Sequence, residues 1–195
     1  MKSLIARMGQ GLLLVGTLSL GYAVLSWVYA DAFQAYQQWV FDQSSNAALP
    51  SDDSVARLSP APHSVIGRLE IPSLDLSVMV LEGADEQDLS LGVGRVPGTA
   101  LPGENGNVVI AGHRDTFFRP LRKIQKNDTI TLTTLQGTHR YQVESLWIAQ
   151  PDDTEVLQSD SEAVLTLITC YPFSYVGPAP DRFIVRARKL SEFGS

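Results

Sequence analysis

The sequence predicts an all-β domain, a closed or nearly closed β-barrel with short helices, carried behind one membrane-spanning N-terminal helix. Two observations carry the prediction. About seven strand-like segments crowd into the ~130 residues after position 65, with little helical patterning between them. Residues 11–30, GLLLVGTLSLGYAVLSWVYA, form a twenty-residue stretch without a charge, about what a helix needs to cross ~30 Å of hydrocarbon.

Lys2 and Arg7 precede the apolar run and Asp31 follows it. The positive-inside bias therefore predicts a cytoplasmic segment 1–10, a signal anchor 11–30 and an extracytoplasmic remainder. Trp27, Tyr29, Phe33, Tyr36 and Trp39 suit the outer interface. Ala30-Asp31-Ala32 also resembles a signal-peptidase site, so cleavage stays open beside retention, with the same compartment either way. Residues 31–64 read as a juxtamembrane segment that passes into a flexible linker over 42–63, polar, small and proline-containing. His63 in this linker is expected to be solvated.

From Val65 the period is two. Leu69 and Ile71 alternate with Arg68 and Glu70; beyond Pro72-Ser73, Leu74, Leu76, Val78 and Val80 alternate with Asp75 and Ser77. Segments 107–112, 128–135, 139–149, 163–169 and 182–189 follow, with Gly137 closing a short hairpin. Residues 85–92 read as a short helix capped by Asp85, and 117–124 as a single turn. The domain spans 65–189. The tail 190–195 ends in EFGS, which reads as vector-derived sequence.

The chain carries a net charge of −6, and the two basic residues of the first thirty leave the rest more acidic still. This argues against nucleic acid. The single cysteine excludes an internal disulfide and a multi-cysteine zinc site. Cys170 ends an apolar run at Tyr171-Pro172, where proline stops a central strand, so it is either a core thiol or a nucleophile at a barrel mouth. His113 ends NVVIAGH in the same way, with Gly112 allowing close packing beside it. Arg182 opens the last strand, near enough along the chain to return to the thiol. His139, after a hairpin turn, is expected to be exposed. The acids Glu82, Asp85, Glu86 and Asp88 read as a solvated turn, and no metal or other cofactor is expected.

NVVIAGHRD together with TLITCYPFSYVGPAPDRFIV resembles the sortases, membrane-anchored cysteine transpeptidases. The family's T-L-x-T-C falls on Thr166, Leu167, Thr169 and Cys170, its histidine on His113 and its arginine on Arg182. GVGRVPGTALPGENGNVVIAGHRDTFFRPL and TCYPF are most similar to the class D group and its class C relatives. The absence of an Asp-Pro-aromatic lid triplet in 42–65 agrees with that class. The resemblance implies an eight-stranded barrel, one strand more than the pattern shows. It implies that Cys170 attacks the Thr carbonyl of an LPxT[G/A]-like sorting signal on a secreted protein. A thioester forms, and an amine on an envelope component resolves it. His113 is then the proton donor and acceptor, and Arg182 the oxyanion or substrate ligand. Thr169 and Asp181 are further candidates for substrate binding, Asp181 also as a cap or a partner of Arg182; Asp115 has no evident role. A peptidase using water on the same residues, and a tethered non-enzymatic β-barrel with a buried thiol, are the alternatives. A phosphatase loop would need arginine at 176, which is valine.

Overall fold

The computed structural model describes residues 2–46, 60–158, 161–175 and 177–190. Most of the expected linker, 47–59, and the tail 191–195 lie outside the described residues. Eight strands close into a barrel: β1 (Val65–Ile71), β2 (Leu76–Glu82), β3 (Val93–Arg95), β4 (Gly106–Ala111), β5 (Thr129–Thr134), β6 (Gly137–Ala149), β7 (Ala163–Tyr171) and β8 (Asp181–Lys189). Their order around it is β1-β2-β3-β4-β7-β8-β6-β5. Seven coincide with the segments expected from the sequence. The eighth is β3, three residues flanked by Gly92, too short to show an alternation.

Alternation within each strand divides the side chains between two faces. Leu69, Val78, Val80, Val108, Ile110, Leu165, Leu167 and Val185 point inward and share one buried core with Phe118, Leu121 and Tyr141. On the outside of β6 and β8 a smaller apolar cluster forms from Ala149, Val156 and Ile184, with Trp147 and Ile168 packed against it. Tyr141 is enclosed, and burial pushes its phenol up to about 12.

Two helices accompany the barrel, α1 (Lys2–Asn46) and α2 (Glu86–Leu91), the latter capped by the Asp85 carboxylate, which accepts from the Asp88 N–H at 3.0 Å. The turn expected over 117–124 is a 3-10 turn at Arg119–Lys123. Within α1 the residues from Arg7 to Ser44 are long and apolar enough to cross a membrane. The helix does not stop there. It runs through residues 42–46, which the sequence assigned to a flexible linker, because 31–46 contains neither proline nor glycine. Its C-terminal end is docked: Gln34 and Phe41, seven residues apart and so on one face, are both buried. Gln34 Oε1 accepts from the Met79 N–H at 2.9 Å and its Nε2 donates to the Leu91 carbonyl. On β2 the β3 ladder covers only Val80, Leu81 and Glu82, so Gln34 serves the part of the β2 edge that β3 does not reach. Asp42 accepts from Arg68 at 2.7 Å beside the Phe41 ring.

Two further expectations are met only in part at the β2–α2 junction. His63 is exposed, as expected, and is also held: its backbone N–H donates to the Glu82 carbonyl at 2.8 Å, and its Nδ1 lies 2.9 Å from Asp88 Oδ1. That carboxylate raises the imidazole above its ordinary pKa. The acidic run divides: Asp85 and Glu86 are exposed at the start of α2, as expected, but Glu82 and Asp88 are not solvated. Asp88 is 1 % exposed, and Glu82 is buried in a two-pronged pair with Arg95, Nε to Oε2 at 2.7 Å and Nη2 to Oε1 at 2.5 Å. The parallel register of β2 and β3 sets Glu82 opposite Arg95, which spacing along the chain cannot reveal.

Candidate active site

β4, β7 and β8 are neighbours in the barrel. Cys170 on β7 is directly opposite Arg182 on β8, where facing residues of an antiparallel pair sit about 4.5–5.5 Å apart at Cα. On the other side β7 runs parallel to β4, with Ala111 beside Ile168. The pairing continues past the end of β4: the Gly112 N–H donates to the Ile168 carbonyl at 3.1 Å, and Thr169 Oγ1 donates to the Gly112 carbonyl at 2.7 Å. The same register, carried past the end of β4, puts His113 level with Cys170.

The three also share a face. Leu165 and Leu167 point into the core, so Ile168 is outward by alternation, as is Cys170. On β8 Val185 is inward and Ile184 outward, which puts Arg182 outward. On β4 Val108 and Ile110 are inward, and the same count carries His113 outward. Cys170 is partly exposed, so the alternative of a core-filling thiol does not describe it. Gly112 permits the close approach. A Cβ there would come within 2.6 Å of the Phe118 ring and 2.9 Å of Val93.

Around this face the side chains have defined partners. His113 is 36 % exposed, and its Nε2 lies 3.7 Å from Oε1 of Glu86, a freely exposed residue at the start of α2. Arg182 Nη1 donates to the Asp181 carbonyl at 3.0 Å and to the Ala179 carbonyl at 3.4 Å. The Asp181 carboxylate turns away from it and accepts from Gln150 Nε2 at 3.0 Å, so it is the main chain at 181, not the acid, that contacts the guanidinium. Thr169 is 2 % exposed with its hydroxyl spent on Gly112; its geometry is that of a tie between strands. Asp115 lies 3.4 Å from Arg114 Nε and is exposed.

Arg114 was not singled out from the sequence. Its side chain is buried, and it donates to the carbonyls of Pro172 (2.9 Å), Tyr175 (2.7 Å) and Gly177 (3.2 Å) in the segment joining β7 to β8. No pattern along the chain signals this, because all three acceptors belong to backbone about sixty residues away. At the base of the same segment Phe173 packs edge-on against Tyr171 and Phe183.

His139 is half-buried, a correction to the exposed position expected of it. The space above Gly103 is filled by its ring. It also lines a cleft of about 670 Å³ with Glu162, Ala163, Arg188 and Lys189, at the start of β7. Seven residues of strand separate Ala163 from Cys170, roughly 23 Å, so His139 is not beside the thiol. Among the described residues one set of potential metal ligands converges, His63, Asp85 and Asp88, with ligand atoms within 4.8 Å of one another. Each already has a structural task, Asp85 as the cap of α2 and the other two as a pair.

A closed eight-stranded barrel with a partly exposed cysteine at the end of β7, opposite an arginine on β8, offers what an enzyme with a thiol nucleophile needs. The Sortase domain family matches residues 69–190, and the chain belongs to it. It is 38 % identical over 138 residues to Sortase D of Bacillus subtilis, covering 70 % of this chain and 69 % of that one. It is 31 % identical over 134 residues to Sortase A of Bacillus anthracis, covering 67 % and 63 % respectively. Among solved structures, the Sortase D5 transpeptidase of Clostridium perfringens superposes with a TM-score of 0.70 at 27 % identity, over 83 % of this chain and 98 % of that one. Sortase C1 of Streptococcus suis gives 0.63 at 28 % identity, over 68 % and 76 %. The protein is thus a cysteine transpeptidase of the sortase type with a class D relative. The family in general acts on proteins carrying LPxTG-type sorting signals at the cell envelope, and the N-terminal apolar helix suggests a membrane anchor.

Proposed function

We propose that this chain is a membrane-anchored, class D-like sortase that cuts an LPxT[G/A]-like signal of secreted proteins after Thr and transfers the acyl group to an amine. In this reading Lys2 and Arg7 keep the N-terminus in the cytoplasm, α1 crosses the membrane at 11–30, and the domain 65–189 works outside. The observation that carries the catalytic assignment is the register: Cys170 opposite Arg182, and His113 one step beyond the Gly112–Ile168 bond, all on one outward face.

The ionised Cys170 sulfur attacks the Thr carbonyl carbon, and the carbonyl oxygen takes the negative charge. Arg182, always cationic and held by the main chain at 179 and 181, is aimed at that oxygen or at the peptide carbonyl beside it. The C–N bond breaks, and His113 delivers its proton to the departing amine, leaving a thioester on Cys170. An incoming amine then gives a proton back to the imidazole as it attacks, and the C–S bond breaks to return the thiolate. Thr169 contributes by fixing the strand end that carries His113.

The test is incubation of the full chain in detergent with peptides of the LPxT type, with and without amines such as oligoglycine or a diaminopimelate peptide, followed by mass spectrometry. Peptide-length acyl adducts on Cys170 and amine-dependent ligation products are expected. Cys170→Ala should remove both, and His113→Ala or Arg182→Ala should each slow turnover by about 10²–10³. Hydrolysis unaffected by any amine would make the enzyme a peptidase instead.

A further inference from the structure

We propose that Arg114 is a positioning residue for the sorting reaction, holding the segment between β7 and β8 in one shape over Cys170 and Arg182. The inference rests on the transpeptidase reading above. That segment leaves β7 directly after the thiol strand and enters β8 at Asp181, so whatever conformation it adopts forms one wall of the site.

The backbone of this segment lies beyond the ladders of β7 and β8, and a row of carbonyls is turned toward Arg114. Arg114 is 7 % exposed and offers five N–H donors in a rigid plane. Nη1 takes the Pro172 carbonyl, and Nη2 takes those of Tyr175 and Gly177. Its guanidinium also stands 5.9 Å from the centre of the Tyr175 ring, within cation–π reach. Asp115 at 3.4 Å completes its neighbours. From the other end of the segment Arg182 donates to the Ala179 carbonyl. Two arginines, one following the candidate proton donor and one being the candidate oxyanion ligand, thus share the same stretch of chain. A lysine could keep the charge but could not meet three carbonyls spread over six residues.

The experiment compares the full-length protein in detergent with Arg114→Lys and Arg114→Gln, measuring steady-state transfer of an LPxT-type peptide and hydrogen exchange of the 172–181 region by mass spectrometry. For Arg114→Gln, KM for the peptide should rise by about tenfold or more while kcat stays within about threefold. Exchange in 172–181 should quicken by about tenfold while β4, β7 and β8 keep their protection. Arg114→Lys should rescue neither. Full recovery by lysine would overturn the proposal, since charge alone would then suffice. So would a fall in kcat at constant KM, or a loss of protection spread evenly over the barrel, which a purely structural residue would give. Should Arg114→Gln not fold, the lysine variant alone decides through the same two measurements. If the wild type transfers no peptide, the transpeptidase reading fails by itself, while the exchange measurement still tells whether Arg114 holds the loop.

Discussion

Replacing Thr169 by valine removes one hydroxyl and keeps a β-branched side chain of nearly the same shape. The hydroxyl donates to the Gly112 carbonyl at 2.7 Å in a site 2 % exposed. Its loss leaves that buried carbonyl without this donor, a cost of about 1–3 kcal/mol. For a domain of this size each kcal/mol moves Tm by roughly 4 °C, so the melting temperature should fall by about 4–12 °C. Because the bond holds the residue preceding His113, kcat should drop by about tenfold or less, and KM for a sorting peptide should hold within about threefold. Thermal melting by circular dichroism and steady-state turnover at a temperature well below both transitions measure the two effects. An unchanged Tm with KM raised by tens of fold would refute the reasoning and return the hydroxyl to substrate binding.

Glu82→Gln or Arg95→Leu leaves one partner of a buried, two-pronged ion pair alone and should cost about 3–5 kcal/mol in chemical denaturation, while the apolar double replacement should recover much of the loss. The His63–Asp88 pair raises the histidine above its ordinary value of about 6.5, so its contribution to stability is full below about pH 6.5 and is lost as pH rises through the raised value. The Tm difference between wild type and His63→Gln should therefore shrink between pH 6 and pH 9, and a difference that grew with pH would reverse the assignment. His139→Ala should leave kcat and KM within about twofold, because the ring lies at the far end of β7; damage equal to that of His113→Ala would mean that the wrong histidine had been chosen.

Much of this protein is written in its local pattern. The strands from Leu69 to Val185 show their alternation, the twenty uncharged residues show a span, and Cys170, His113 and Arg182 stand out because each breaks an apolar run at its end. Periodicity and chain-ending residues are one-dimensional properties, so a sequence holds them without a fold. What only the tertiary structure decided are the partnerships across the chain: β3 as a three-residue strand, Glu82 with Arg95, His63 with Asp88, Gln34 on the edge of β2, and Arg114 on the loop after the thiol. The two ion pairs join side chains 13 and 25 residues apart, while Gln34 and Arg114 bond to backbone 45 and 58 residues away. Backbone groups carry no residue identity, so the sequence marks the polar side chain that bonds to them only as polar, and the same letter serves a solvated surface equally well.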